Sequence, residues 1–117
     1  MDQVTAFRTV LVAASPVTAI VGQRVTILVK PQSLTMPCIT LQEIAITPEN
    51  DLGGWSGLDG VQVQLDAWAD TRATARDLAT KCRTALNDPN RLMVGQFEEF
   101  EPDVDLYRIT QTWETMV

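Results

Sequence analysis

Histidine is absent from the 117-residue chain. That removes Ser–His–Asp and Cys–His nucleophile activation, zinc sites built on imidazole, and the side chain best suited to proton transfer near neutral pH. Cysteine is scarce: Cys38 and Cys82 are the only two, far apart in sequence and in no Cys-x-x-Cys pair. Two cysteines make no disulfide framework. They read as buried thiols acting as small apolar residues, with a disulfide as the alternative. Gly53 and Gly54 are not followed by Gly-Lys-Ser/Thr, so no phosphate-cradling loop is present. Long hydrophobic runs are missing as well. The longest near the start, Val10–Ala14, is far too short to span a bilayer, and Asp2 and Arg8 stand in the wrong order for a secretory signal. The expectation is a soluble protein that stays where it is made.

Basic residues are few: nine Lys and Arg against fifteen Asp and Glu, a net charge of −6. Gripping phosphate needs a Lys/Arg footprint, and binding a membrane surface needs a polybasic patch. This chain offers neither. An acidic surface can still line a passage for DNA, where it prevents sticking. Aromatics make up only 6% of the chain, so any exposed aromatic carries weight.

What is present is an ordinary globular composition, 45% apolar and 21% charged, with no internal repeat and no linker. The expectation is one domain over residues 1–117 with a single core. Val4, Phe7, Val10, Leu11 and Ala14 fall on one helical face, predicting a helix over 3–14. Ser15–Pro16 reads as an N-cap and restart, and Gly22 as the end of a short second helix. Alternation predicts strands over 24–30 and 38–47. The second changes parity around Gln42–Glu43, as a β-bulge would, and Pro48 reads as its stop. Residues 49–60, with four of the six glycines and Trp55, read as a loop. Val61–Ala69 is the cleanest alternating strand. Asp70 or Thr71 can cap the helix that follows, where Ala75, Leu78, Ala79, Cys82 and Leu86 form one apolar stripe. Asn87–Asn90 is a turn, and strands over 92–100 and 106–116 are joined at Pro102–Asp103. The fold class is α+β: an antiparallel or mixed sheet of about four to five strands, with helices mainly on one face.

Glu98, Glu99, Glu101, Asp103 and Asp105 place five acids within eight residues. They could supply clustered oxygens to a divalent cation. Extended chain sends alternate side chains to opposite faces, however, and the other reading is a solvated hairpin rim. Nothing selects a glycosidase-like carboxylate pair. No catalytic, cofactor-binding or metal-binding residue is assigned, and the chain does not read as an enzyme.

Several blocks together resemble the tail-completion or tail-terminator proteins of long-tailed phages. They are the N-terminal helix running to Ile20-Val21-Gly22-Gln23-Arg24-Val25, the stretch Pro31-Gln32 through Pro37-Cys38-Ile39-Thr40-Leu41, and a Gly-rich loop. Val61-Gln62-Val63-Gln64-Leu65-Asp66-Ala67-Trp68-Ala69 follows, opening into the helix from Ala73 to Leu86, and an acidic hairpin ends in Tyr107-Arg108-Ile109. The order and spacing cover nearly the whole chain. One departure is Cys38, where the family often has an aromatic. The resemblance implies a structural virion protein, made in the host cytoplasm, that caps the head-proximal end of the tail tube. It implies a ring, typically of six copies, between the tail tube protein and a head-completion or stopper protein. DNA would pass through the hole without specific binding, and no cofactor is implied. The alternatives are another head–tail connector (neck) component, or a small bacterial enzyme or ligand-binding domain of similar fold.

A ring subunit must present two different, complementary surfaces. The candidate interface residues are Leu52, Trp55 and Leu58 in the 49–60 segment, and Arg72, Arg76 and Arg83 on the long helix. Glu98, Glu99, Glu101, Asp103 and Asp105 are the candidate channel-facing acids. Opposed basic-helix and acidic-hairpin patches would set register between neighbours, unless they are merely solvated or meet within one subunit.

Overall fold

Two helices, three strands, a third helix and a closing pair of strands follow one another along the chain. They are α1 (Gln3–Ala13), α2 (Ser15–Val21), β1 (Val25–Ile27), β2 (Cys38–Asp51), β3 (Gly54–Ala69), α3 (Arg72–Ala85), β4 (Arg91–Glu101) and β5 (Leu106–Met116). This computed structural model describes residues 2–28 and 35–116, with the backbone alone at positions 49, 51, 55, 56 and 58. No single described helix is long and apolar enough to cross a membrane.

The strands form one mixed sheet in the order β1-β2-β3-β5-β4. The β1–β2 pair is parallel and the other three pairs are antiparallel. Alternation places Val61, Val63, Leu65, Ala67 and Ala69 of β3 beside Ile109 and Trp113 of β5 in the main core. The helices cover this face: Val4, Phe7 and Leu11 from α1, Val17 and Val21 from α2, and Ala75, Leu78, Ala79 and Cys82 from α3. Phe7 meets Trp113 edge-on, with ring centroids 6.2 Å apart. Among the described residues, the opposite face carries a small cluster, Cys38, Trp68 and Leu106. Both cysteines are free and buried, on opposite sides of the sheet, so the disulfide alternative falls. Burial pushes the Cys38 thiol up to about 11 and the Cys82 thiol up to about 12.

Local chemistry accounts for the helix ends. Asp2 Oδ1 accepts the Thr5 amide at 2.7 Å and caps α1. Thr71 Oγ1 accepts the Thr74 amide at 3.2 Å and caps α3. At the other end of α3, Arg91 Nε donates to the Leu86 carbonyl at 2.9 Å. The cap of α2 is Ala14, one residue before the expected Ser15, because the Thr18 amide bonds the Ala14 carbonyl and Pro16 sits inside the first turn.

Three expectations need correction. Among the described residues, the strand expected over 24–30 is a strand at Val25–Ile27. Leu28, with φ of 60°, turns outward and is largely exposed, and positions 29–34, including the start of the Pro31–Pro37 loop, lie outside the described residues. Pro48 does not stop β2: it sits within the strand, opposite Asp59. Beyond Leu41 the outer edge of β2 has no partner strand among the described residues, so a missing N–H there breaks no ladder. Most important, residues 49–60 are not a loop. They complete a β-hairpin, with Asn50 opposite Trp55 and Asp51 opposite Gly54, closed by Leu52–Gly53. Gly54 and Gly57 have φ of 109° and 90°, which L side chains rarely adopt, so these glycines shape the hairpin without interrupting it. The parity change expected at Gln42–Glu43 appears as a register shift between Glu43 and Ala45.

Candidate assembly surfaces

The β2–β3 hairpin outruns the rest of the sheet. Among the described residues, the last pairing of β3 with β5 is Gly60 with Met116, and beyond it β2 and β3 continue as a two-stranded arm. The six residues from Gly60 to Gly54, at about 3.3 Å each, carry the tip roughly 20 Å past that point. The radius of gyration is 14.9 Å, against roughly 13 Å for a compact chain of this length. Leu52 at the tip is fully exposed, and Ile46 and Ile44 nearer the base are 53% and 41% exposed. The side chains of Trp55 and Leu58 lie outside the described residues. From Glu43 to Asp59 the sequence holds four carboxylates, and no Lys or Arg stands between Lys30 and Arg72. The arm is therefore uniformly acidic.

The long helix is its opposite in charge. Along α3 stand Arg72, Arg76, Lys81 and Arg83 against Asp77 alone, a formal charge of +3. Lys81 pairs with Asp77 along the helix at 3.7 Å. Arg72, Arg76 and Arg83, spaced by four and seven, share the flank of α3 that faces β4. Between α3 and β4 runs a string of three cavities, each with one of these arginines in its wall. Arg72 lines one of about 200 Å³ with Phe100 and Tyr107, and Arg76 one of about 210 Å³ with Gln96 and Phe97. Arg83 lines the third, of about 370 Å³, with Leu92 and Trp113. Glu98 and Ile109 belong to the first two, which makes them neighbours. β4 is an edge strand, and its Leu92, Val94, Phe97 and Phe100 are 65%, 48%, 51% and 45% exposed.

Beneath this groove lies a polar brace that no sequence signal had singled out. Gln111 is fully buried, at the centre of β5. Its Nε2 donates to the Ala79 carbonyl of α3 and to Gln96 Oε1 of β4, both at 2.9 Å. Its Oε1 accepts the Trp113 indole N–H at 3.0 Å. One amide thus ties helix, edge strand and core together. A lone Gln within an alternating Tyr107, Ile109, Trp113 face was the available hint.

The acidic hairpin is divided between the two faces of the sheet. Glu98 lies on the helix side, where Arg72 Nη2 donates to its Oε1 at 2.8 Å and Arg76 stands 3.8 Å away. The Arg72 hydrogen bond holds the Glu98 carboxyl below its usual value and raises Arg72. The basic helix and acidic hairpin therefore meet within one subunit at this point. Glu99 and Glu101 face the other side and both pair with Arg108, Glu101 at 2.9 Å. The Arg108 guanidinium also stacks over the Trp68 ring at 5.4 Å from its centroid. Asp103 and Asp105 are exposed in the turn between the strands. Among the described residues no group of three or more His, Cys, Asp or Glu is arranged to hold a metal ion.

The helix-free face is polar at its centre. Thr110 Oγ1 donates to Asp66 Oδ1 at 2.6 Å, and Gln64 Nε2 donates to Asp66 Oδ2 at 3.0 Å. The Trp68 indole N–H donates to Thr40 Oγ1 at 3.0 Å. Where β3, β5 and β4 lie side by side, the described residues of this face carry Asp66, Glu99, Glu101 and Glu114 against Arg108 alone.

Residues 5–117 match the sequence family described as Tail completion protein gp17. A chain in the virion of a native gene transfer agent particle has the same fold, with a TM-score of 0.75 at 19% sequence identity, covering 95% of this chain and 90% of that one. No curated protein matches the sequence.

Proposed function

The chain belongs to the Tail completion protein gp17 family, and from that premise we propose that it caps the head-proximal end of the phage tail tube as a ring and joins the tail to head-completion proteins. It is a structural component of the virion. The observation that carries the proposal is the family match over residues 5–117, nearly the full sequence. The geometry supports it in two ways. An acidic arm and an arginine-lined groove on one molecule are the pair of unlike surfaces that head-to-tail ring contacts require. A polar, acid-bearing sheet face suits the wall of a passage through which DNA slides without adhering.

In this reading the ring, of six copies, meets the tail tube protein on one side and a head-completion or stopper protein on the other. Leu52, Trp55, Leu58, Arg72, Arg76 and Arg83 serve contacts between proteins. Glu99 and Glu101, with Asp103 and Asp105 in the adjoining turn, face the channel, while Glu98 lies on the helix side beside Arg72. No catalytic step is assigned to any residue. The test is complementation in extracts. An infection lacking this protein should accumulate separate heads and tails, and adding the purified chain should restore joined particles. Joining that proceeds equally well without it would count against the proposal, and binding to heads in preference to tails would favour a neck component.

A further inference from the structure

Among the described residues no strand pairs with the outer edge of β4. Such an edge offers a row of backbone donors and acceptors to another chain, and proteins guard it with Lys, Pro, bulges or free charge. β4 contains no Lys and no Pro. Its bulge lies at one end, between Met93 and Gly95, and from Gly95 to Glu101 the ladder is regular. The charges that would guard this regular stretch are engaged inside the subunit. Arg72 holds Glu98 on the helix side, and Arg108 holds Glu99 and Glu101 on the other. What the edge shows to solvent is apolar on both faces: Leu92 and Phe97 on the helix-free side, Phe100 on the helix side.

The ends of this edge differ in charge. The cavity at its start has Arg83 in its wall, and the turn after its last residue carries Asp103 and Asp105. Among the described residues none of these three forms an ion pair. Arg91, also at the start, is offset by Asp88 at 3.9 Å. The edge is therefore its own complement. Two copies of β4 meeting antiparallel set the Arg83 end of each beside the Asp103–Asp105 end of the other, whereas a parallel meeting sets like beside like.

We infer that in the free protein two copies pair β4 to β4, antiparallel across a two-fold axis, into one ten-stranded sheet. A two-fold contact is isologous and closes at two copies. Its centre falls at Phe97. A centre at Glu98 would set that carboxylate opposite itself, and one at Gln96 would draw the bulge into the ladder. Centred on Phe97, the two rings meet on the helix-free face and bury each other's exposed half. One strand edge is a small interface, so the pair is weak, with Kd in the micromolar range. It belongs to the free chain and does not depend on the ring reading.

Sedimentation equilibrium of the purified full chain without tail tubes tests this. Wild type should approach twice the 12.9 kDa chain mass as concentration rises. Phe97→Lys places a charge at the two-fold and should weaken the dimer at least tenfold. Val94→Lys serves if that variant fails to fold, with an unchanged thermal midpoint as the criterion of folding. Orientation is read by mixing Arg83→Cys with Asp103→Cys and adding a short bismaleimide; the native thiols are buried and do not compete. Cross-links between the two variants should outnumber those within either by at least tenfold. Wild type that stays monomeric at roughly 100 μM overturns the inference, as do an edge variant that dimerises as wild type does and cross-links mainly within one variant. Six-copy rings that form without tubes and are dispersed by Phe97→Lys would give the edge to a head-to-tail contact, and also overturn it.

Discussion

Replacing Gln111 by leucine would test whether the buried amide braces the groove. Leucine has about the right volume for the site, so little cavity is expected and the loss is polar. The Trp113 indole N–H, on a residue only 2% exposed, loses its acceptor. An orphaned buried donor costs about 1–3 kcal/mol. The Ala79 carbonyl keeps its intrahelical partner, and Gln96, exposed on the edge strand, turns to water. The net expectation is a loss of about 2 kcal/mol, or roughly 8 °C in Tm at about 4 °C per kcal/mol for a chain of this size. Urea denaturation followed by circular dichroism measures it. A double-mutant cycle supplies the mechanism. In a Trp113→Phe background there is no indole N–H to orphan, so Gln111→Leu should cost about 1–2 kcal/mol less. A single-mutant loss under about 0.5 kcal/mol, or equal losses in both backgrounds, would show that the amide does not brace the indole.

Leu78→Ala, fully buried where α3 meets the sheet, should cost on the order of 2–4 kcal/mol, and an unchanged denaturant midpoint would show that this stripe is not core. With thiols raised to about 11 and about 12, neither cysteine should react with iodoacetamide at pH 8 in the folded protein, while both should react in urea, as peptide mass mapping would reveal. The Glu98 carboxyl is held below its ordinary 4.5, so the stability it adds is present above that pH and is lost as pH falls through the folded value. Glu98→Gln should therefore flatten the fall in Tm between pH 5 and 3, and an acid limb as steep as wild type would contradict the assignment.

Much of the fold was legible because burial imposes a period. β3 alternates from Val61 to Ala69 because one face packs under the helices, and α3 shows its stripe for the same reason. The arm was not legible for the converse reason. A ribbon whose described residues are mostly exposed needs no hydrophobic alternation, and its Asn, Asp and Gly residues carry the composition of a loop. Pro48 misled in the same way, since its effect depends on whether the strand edge is occupied, which is a property of the sheet order. At the surfaces, charge could be read from sequence but pairing could not. Glu98 and Glu99 are adjacent in the chain, yet the pleat sends one to Arg72 on α3 and the other to Arg108 on β5. Which acids meet basic residues inside the subunit follows from that pleat. Gln111 was invisible as a brace because its three partners come from α3, β4 and β5.

Electron microscopy of the purified protein mixed with isolated tail tubes is the decisive test of the proposed ring at one end of the tube. The expected image is a ring of six copies seated at one end of each tube, with an open central hole. Tubes bare at both ends at saturating protein, or protein coating the tube walls without preference for an end, would contradict it.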